Sequence, residues 1–316
     1  WSFASEMRST SRLAARLRLH GSGLGQTVRA VCLFFALMAL ALGPGAEVLA
    51  QSRLNRPPPR YLQATPNQKE GAEILRSMRG VGPDGDYYLE FELRVLPRRG
   101  EGPRIPGKLW GSRNTEGPIS RLSLGAVEGG SGAKRILVQG GARPAAWQWP
   151  ASGGAAVIAV DDAALFEPLA GSDLSAFDLQ MPFLYWADFV YEGKSRLLDR
   201  PVDTFLLYPP AALAKRRPEL AAMRVYLDPT YHALVQAEQL GEGERVLKSF
   251  RVNGLARIGE RYLVKSVELR DETTRNKTRF TVTAAALGLD FSSAVFAPGN
   301  LASEPTAPGG LTRLAE

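Results

Sequence analysis

Between Met223 and Ala286 the chain alternates apolar and polar positions through five consecutive segments. Arg224–Leu227, Ala233–Ala237, Val246–Val252, Tyr262–Leu269 and Thr278–Ala284 read as strands, since successive side chains of a strand point to opposite faces. Turn residues separate them at Asp228-Pro229, Gly241-Glu242-Gly243, Asn253-Gly254 and Asp271-Glu272. Connections this short allow only neighbouring antiparallel pairs, because a parallel pair needs a crossover of about a dozen residues.

The front half carries the same rhythm less evenly. Asp86–Leu96 is its clearest strand, with Tyr87, Leu89, Phe91, Leu93 and Val95 on one face and Tyr88, Glu90, Glu92 and Arg94 on the other. Shorter strands are predicted around 108–113, 119–124, 135–139, 145–149 and 155–160, and again at 189–197 and 202–207. A helix is predicted from Asn67, a capping residue with Glu70 three positions on, to Gly80, with Ile74, Leu75 and Met78 as its apolar stripe. The strand rhythm stops at Asp161–Phe166 and at Ser172–Tyr185, which read as helical insertions, and a short helix is expected around 211–215. No repeat of 20–50 residues is visible, which disfavours a propeller or solenoid. The expected fold is mainly β (α+β). It is a single, strongly curved antiparallel sheet, open or partly closed, with helices against the concave face.

The first fifty residues read as an address rather than as part of that fold. Arg8, Arg12, Arg16, Arg18 and Arg29 precede an apolar run from Ala30 to Leu42, and Val48-Leu49-Ala50 precedes Gln51. A basic head, a short apolar centre and small residues before the break make a secretory signal peptide over 1–50, with translation starting at Met7 and cleavage after Ala50. The run is short for a membrane span of roughly 20 residues. Export points to the periplasm. Residues 51–66 form an Arg/Pro-rich leader, 67–301 the folded domain, and 302–316, rich in Pro, Gly and Thr, a disordered tail.

Composition then limits the chemistry. The single cysteine, Cys32, and one of the two histidines, His20, lie in the signal segment. The remainder has no disulfide and no thiolate metal site, and His232 alone cannot supply a multi-histidine site. Neither a metal nor any other cofactor is expected. Residues 1–50 carry five basic and two acidic residues, so without them the net charge falls from +7 to +4. The remaining basic residues are scattered, which argues against nucleic acid. Gly129-Gly130-Ser131-Gly132-Ala133-Lys134 lacks the spacing of a phosphate loop and reads as a hairpin tip, and Asp161-Asp162 reads as a helix cap rather than a catalytic pair. The aromatic residues are more suggestive. Trp147 and Trp149 lie two apart, and Phe183, Tyr185, Trp186, Phe189 and Tyr191 crowd one segment, as core or as the mouth of an apolar cavity.

A set of short motifs in a fixed order gives this pattern a family likeness. Trp149-Pro150 is followed by Gly171-Ser172-Asp173-Leu174-Ser175-Ala176-Phe177-Asp178-Leu179, then by Val225-Tyr226-Leu227-Asp228 and Lys248-Ser249-Phe250. Thr278, Val295-Phe296 and Leu301 close the series. Over residues 67–301 the chain resembles the outer membrane lipoprotein-sorting proteins of the LolA/LolB/RseB superfamily. That resemblance implies a half-open barrel, an apolar cavity for the acyl chains of lipids or lipoproteins, and no catalytic residues. It also implies a monomeric carrier between an inner-membrane donor and an outer-membrane acceptor. The lid-holding arginine of LolA has no counterpart motif, so the gating residue stays unassigned. The cavity candidates are Leu89, Phe91 and Leu93 of the first strand and Phe183, Tyr185 and Trp186 of the lid. Two other readings share the fold: a regulator that binds an anti-sigma factor, and an enzyme like that of the violacein pathway, which works by shaping an apolar substrate.

Overall fold

The computed structural model describes residues 56–61, 65–126, 133–150 and 156–315. The expected signal segment and the glycine-rich hairpin tip at 129–132 lie outside them. All strands among the described residues join one antiparallel sheet. An N-terminal meander comprises β1 (Asp86–Leu96), β2 (Arg104–Asn114), β3 (Gly117–Leu124), β4 (Lys134–Gln139), β5 (Ala145–Trp149) and β6 (Ile158–Ala159). A C-terminal meander comprises β7 (Phe189–Leu197), β8 (Arg200–Leu207), β9 (Ala222–Leu227), β10 (Leu234–Leu240), β11 (Val246–Ile258), β12 (Arg261–Asp271) and β13 (Lys277–Leu289). β1 pairs with β13 and so joins the two halves, leaving β6 and β7 as the edges of a sheet that does not close. The expected single open sheet is therefore present.

The apolar alternation selects the inner face. Phe91, Leu93 and Val95 of β1 are buried with Ile105, Leu122 and Leu269 in one cluster over the middle of the sheet. A second cluster lies under the C-terminal meander, where Leu75 of α1 (Gln68–Gly80) meets Tyr191, Phe205, Leu207, Met223 and Val225. Asn67 caps α1 by accepting from the backbone N–H groups of Lys69 and Glu70. Gly71 lets the helix approach β7 closely, since a Cβ there would stand 2.4 Å from Cβ of Tyr191. Two further helices among the described residues are short: α2 (Ala176–Gln180) and α3 (Ala211–Arg216).

Three expectations are corrected. Asn253-Gly254, expected as a turn, lies inside β11, where the register to β12 shifts on both sides of Gly254. The pair makes a bulge, and the hairpin turns at Gly259-Glu260 instead. The helix expected over 172–185 is two pieces, α2 and a 3-10 turn at Pro182–Tyr185. Proline disfavours helical geometry in the residue before it, and Met181 takes a left-handed φ of 46°.

The third correction is the tail. Residues 302–315 are held to the sheet: Ala302 and Glu304 contact Arg135 and Lys108, and β14 (Thr312–Arg313) pairs with β13 at Ala284 and Ala285. β12 departs from β13 beyond Ser266, which leaves that stretch of β13 unpaired on one side. The tail fills it, with the Leu314 N–H donating to the Thr283 carbonyl. Upstream, buried Arg121 of β3 donates to the carbonyls of Val295, Asn300, Leu301 and Ser303. Tyr88 and Trp110 are fully buried and meet edge to face at 5.2 Å, so the β1 face that reads as polar is buried there. The described leader residues contact the C-terminal meander. The Arg56 guanidinium stacks 3.3 Å from the centroid of the Tyr208 ring, whose hydroxyl donates to the Pro57 carbonyl.

Candidate functional site

Between β6 and β7 the chain crosses the inner face as a lid. It starts with Asp161, whose carboxylate accepts from the Ala164 N–H as a helix-capping residue does. A 3-10 turn at Ala164–Phe166 follows, then a tight reversal in which Pro168 bridges to Ser175. Ala170 and Gly171 hold φ of 53° and 79° in that reversal, and Gly171 supplies the conformation without a Cβ penalty. Ser172 fixes it, its hydroxyl donating to the Leu169 carbonyl and accepting from the Leu174 N–H. Ser175 and Asp178 then form a reciprocal capping box that starts α2.

The lid meets the sheet through charge at one side and aromatic packing at the other. Lys248 of β11 reaches both the Asp178 carboxylate and the Asp173 carbonyl. Thr278 of β13 accepts from the Asp173 N–H and donates to the Asp173 carboxylate, each at 2.8 Å. Motif pieces 70 to 105 residues apart are thus hydrogen-bonded to one another. On the apolar side Phe177 is fully buried, stacked on Phe166 at 4.4 Å and within 6.5 Å of the Phe183 and Trp186 rings. Arg217 covers Phe166 at 4.1 Å, and Arg79 of α1 lies 5.4 Å from Tyr185 while donating to the Leu184 carbonyl.

Leu89, Phe91 and Leu93 belong to the first inner cluster, and Phe183, Tyr185 and Trp186 to the second. They do not meet in one group. Leu165 of the lid and Phe250 of β11 border both clusters and connect them. A void of about 10 Å³ remains where the lid meets β9–β11, between Lys248, Asp178, Phe183, Met223 and Phe250. That is room for about one water molecule, so the lid is seated with its own side chains against the sheet. The sequence reading omitted Phe177 and the Lys248–Asp178 pair from the site. The capping spacing Ser175-x-x-Asp178 was visible, but the partner across the sheet was not.

Burial pushes the Asp173 carboxyl above its ordinary range, and nearby Asp271 adds to the shift, against the opposing hydrogen bond from Thr278. The folded protein then holds a proton at Asp173 more tightly than the unfolded chain does. Stability from this group rises as pH falls from above the raised value toward the ordinary carboxylate range, and is constant outside that window. Asp173→Asn should remove that rise while keeping an oxygen for Thr278. Urea midpoints across a pH series check this, and an unchanged slope in the variant would count against it.

No protein-family model and no curated protein matches the sequence. Solved structures do. A DUF1329 family protein from Desulfovibrio piger superposes with a TM-score of 0.61 at 14% identity, over 74% of this chain and 98% of that one. A domain named for outer membrane lipoprotein sorting, from Vibrio parahaemolyticus, gives 0.60 at 13% identity, over 73% and 97%. A LolA superfamily protein from Nitrosomonas europaea gives 0.52 at 14% identity, over 72% and 96%. At such identities the likeness is one of fold, and the chain has the fold of the DUF1329 and LolA-superfamily lipoprotein-sorting proteins.

Proposed function

We propose that this protein is a non-catalytic periplasmic carrier that takes up the acyl chains of a lipid or lipoprotein beneath its lid. The observation that carries this reading is the fastening of the lid. Its aromatic underside rests on an apolar concave face, while polar contacts to Lys248 and Thr278 hold one side.

The magnitudes suit reversible uptake. Burying one sixteen-carbon chain contributes on the order of 12 kcal/mol relative to water. Lifting Phe177, Phe183 and Trp186 off the sheet costs roughly 4.5–9 kcal/mol in lost apolar burial. Cargo wins by a margin small enough for release to a better acceptor, and no bond-making group is required. In this reading the lid side chains and the acyl chain compete for one surface. An inner-membrane donor and an outer-membrane acceptor would be the two ends of the transfer.

Mass spectrometry of organic extracts from the purified protein, with displacement of a fluorescent fatty acid, tests the reading. Co-purifying acyl lipid and saturable probe uptake are expected. A protein free of lipid that takes up no probe would refute it.

A further inference from the structure

The two ends of the sheet differ in what they expose. The turns joining β7 to β8, β9 to β10 and β11 to β12 leave the sheet in one direction, since Asp203 pairs with Leu227, Leu227 with Leu234, and Gln236 with Arg251. The start of β1 lies at this end too, where Arg261 donates to the Asp84 carbonyl at 3.1 Å. Leu198, Tyr231, Leu255 and Tyr262, respectively 72%, 73%, 62% and 70% exposed, all belong to these turns and their flanks, with Val264 beside them and Val81 before β1. The turns at the opposite end, 97–103, 241–245 and 272–276, carry none of the large exposed apolar residues and are rich in charge; Ile158 of β6, beside Gln148, is the exception near that end.

Within the apolar end the residues alternate with cations. Arg257 pairs across the β11–β12 hairpin with Tyr262, and Leu255 with Val264. Arg196, Arg200 and Arg261 are also exposed there, and although Glu260 pairs with Arg257 and Asp199 stands beside Arg200, the two hairpin tips keep an excess of cations. Leu255, Tyr262 and Val264 share one face of the β11–β12 hairpin, whereas Leu198 and Tyr231 stand on two other turns, so no broad apolar surface is assembled. A stable protein interface needs a contiguous, well-packed area of about 800 Å² on each partner. A bilayer interface makes no such demand: tyrosine and aliphatic tips enter at headgroup level, and arginine keeps its charge at the phosphates while its stem lies along apolar surface.

We propose that this end of the sheet is a membrane-docking surface that seats on an anionic phospholipid bilayer through the tips of the β7–β8 and β11–β12 hairpins. It stands apart from the cargo reading, because docking and acyl uptake use different surfaces and are measured separately.

Flotation of the purified protein with protein-free vesicles of phosphatidylethanolamine and phosphatidylglycerol tests it, with phosphatidylcholine vesicles as the neutral comparison. The protein should float with the anionic vesicles, and added salt should weaken that binding. The variant Leu198→Ser/Leu255→Ser/Tyr262→Ser should bind about tenfold more weakly, with an unchanged unfolding midpoint because these side chains are exposed. Arg196→Glu/Arg200→Glu should lose the preference for anionic vesicles, while Arg98→Glu/Arg99→Glu, at the other end, should keep it. Failure of the unaltered protein to float, equal flotation of the triple variant, or an equal loss in the two charge variants would overturn the proposal. Binding to native membranes but not to protein-free vesicles would also overturn it, by assigning this end to a protein partner.

Discussion

Lys248→Met is expected to loosen the lid without disturbing the sheet. The substitution keeps side-chain length along β11 but removes the cation from Asp178, whose side chain is nearly buried. Breaking a buried pair by deleting one partner costs about 3–5 kcal/mol in general. The low end of that range applies here, because Asp178 keeps its hydrogen bonds from the Ser175 hydroxyl and N–H. A stability loss of about 3 kcal/mol in urea unfolding is therefore expected, together with faster uptake of a fluorescent fatty acid. Adding Asp178→Asn should restore much of the stability while leaving the lid uncharged. Wild-type stability and uptake in Lys248→Met would show that the pair does not fasten the lid.

Arg224→Met should have the larger effect on the fold itself. Arg224 of β9 forms a two-pronged contact with Glu192 of β7 at 2.9 and 3.1 Å, and both side chains are almost wholly buried. Glu244 approaches the same guanidinium at 3.3 Å, and the leader joins through Arg60, whose N–H donates to Glu192 and whose side chain pairs with Glu244. Burial works against the arginine's charge, but the Glu192 hydrogen bonds and charge outweigh it and hold the guanidinium protonated. Met leaves Glu192 charged and without its main partner, at a cost of about 3–5 kcal/mol. In a domain of this size that is a fall of about 10 °C in Tm. Arg224→Lys keeps the charge but not the planar fork and should lose less. If calorimetry finds Arg224→Met melting with the unaltered protein, the network contributes nothing to stability.

What the sequence reveals follows from which interactions are local. Asp86–Leu96 is legible to the residue because Phe91, Leu93 and Val95 all face one cluster. Asn253-Gly254 misleads because the dipeptide favours a tight turn, yet alternation resumes in Leu255-Ala256-Arg257-Ile258 and the ladder absorbs the extra residue as a bulge. The break in the lid is readable in hindsight from Pro182. The docked tail is not, because Arg121 grips backbone carbonyls, which every sequence offers alike. The fastening of the lid escapes for a related reason. Asp178 announces itself as a cap, but Lys248 lies 70 residues away and carries no local mark of its partner.

The pairing of β1 with β13 sets the order in which the molecule can be completed. Tyr88 lies opposite Ala286, so the central seam joins residues nearly two hundred positions apart. Each meander can zip locally, but the seam waits until β13, nearly two hundred residues after β1, has been made. Contacts of such long range make folding slow. Until then β1 presents a bare edge with nothing to hold it, the kind of edge that recruits other chains. A nascent molecule of this kind would be most vulnerable to aggregation in the interval just before Lys277–Leu289 arrives.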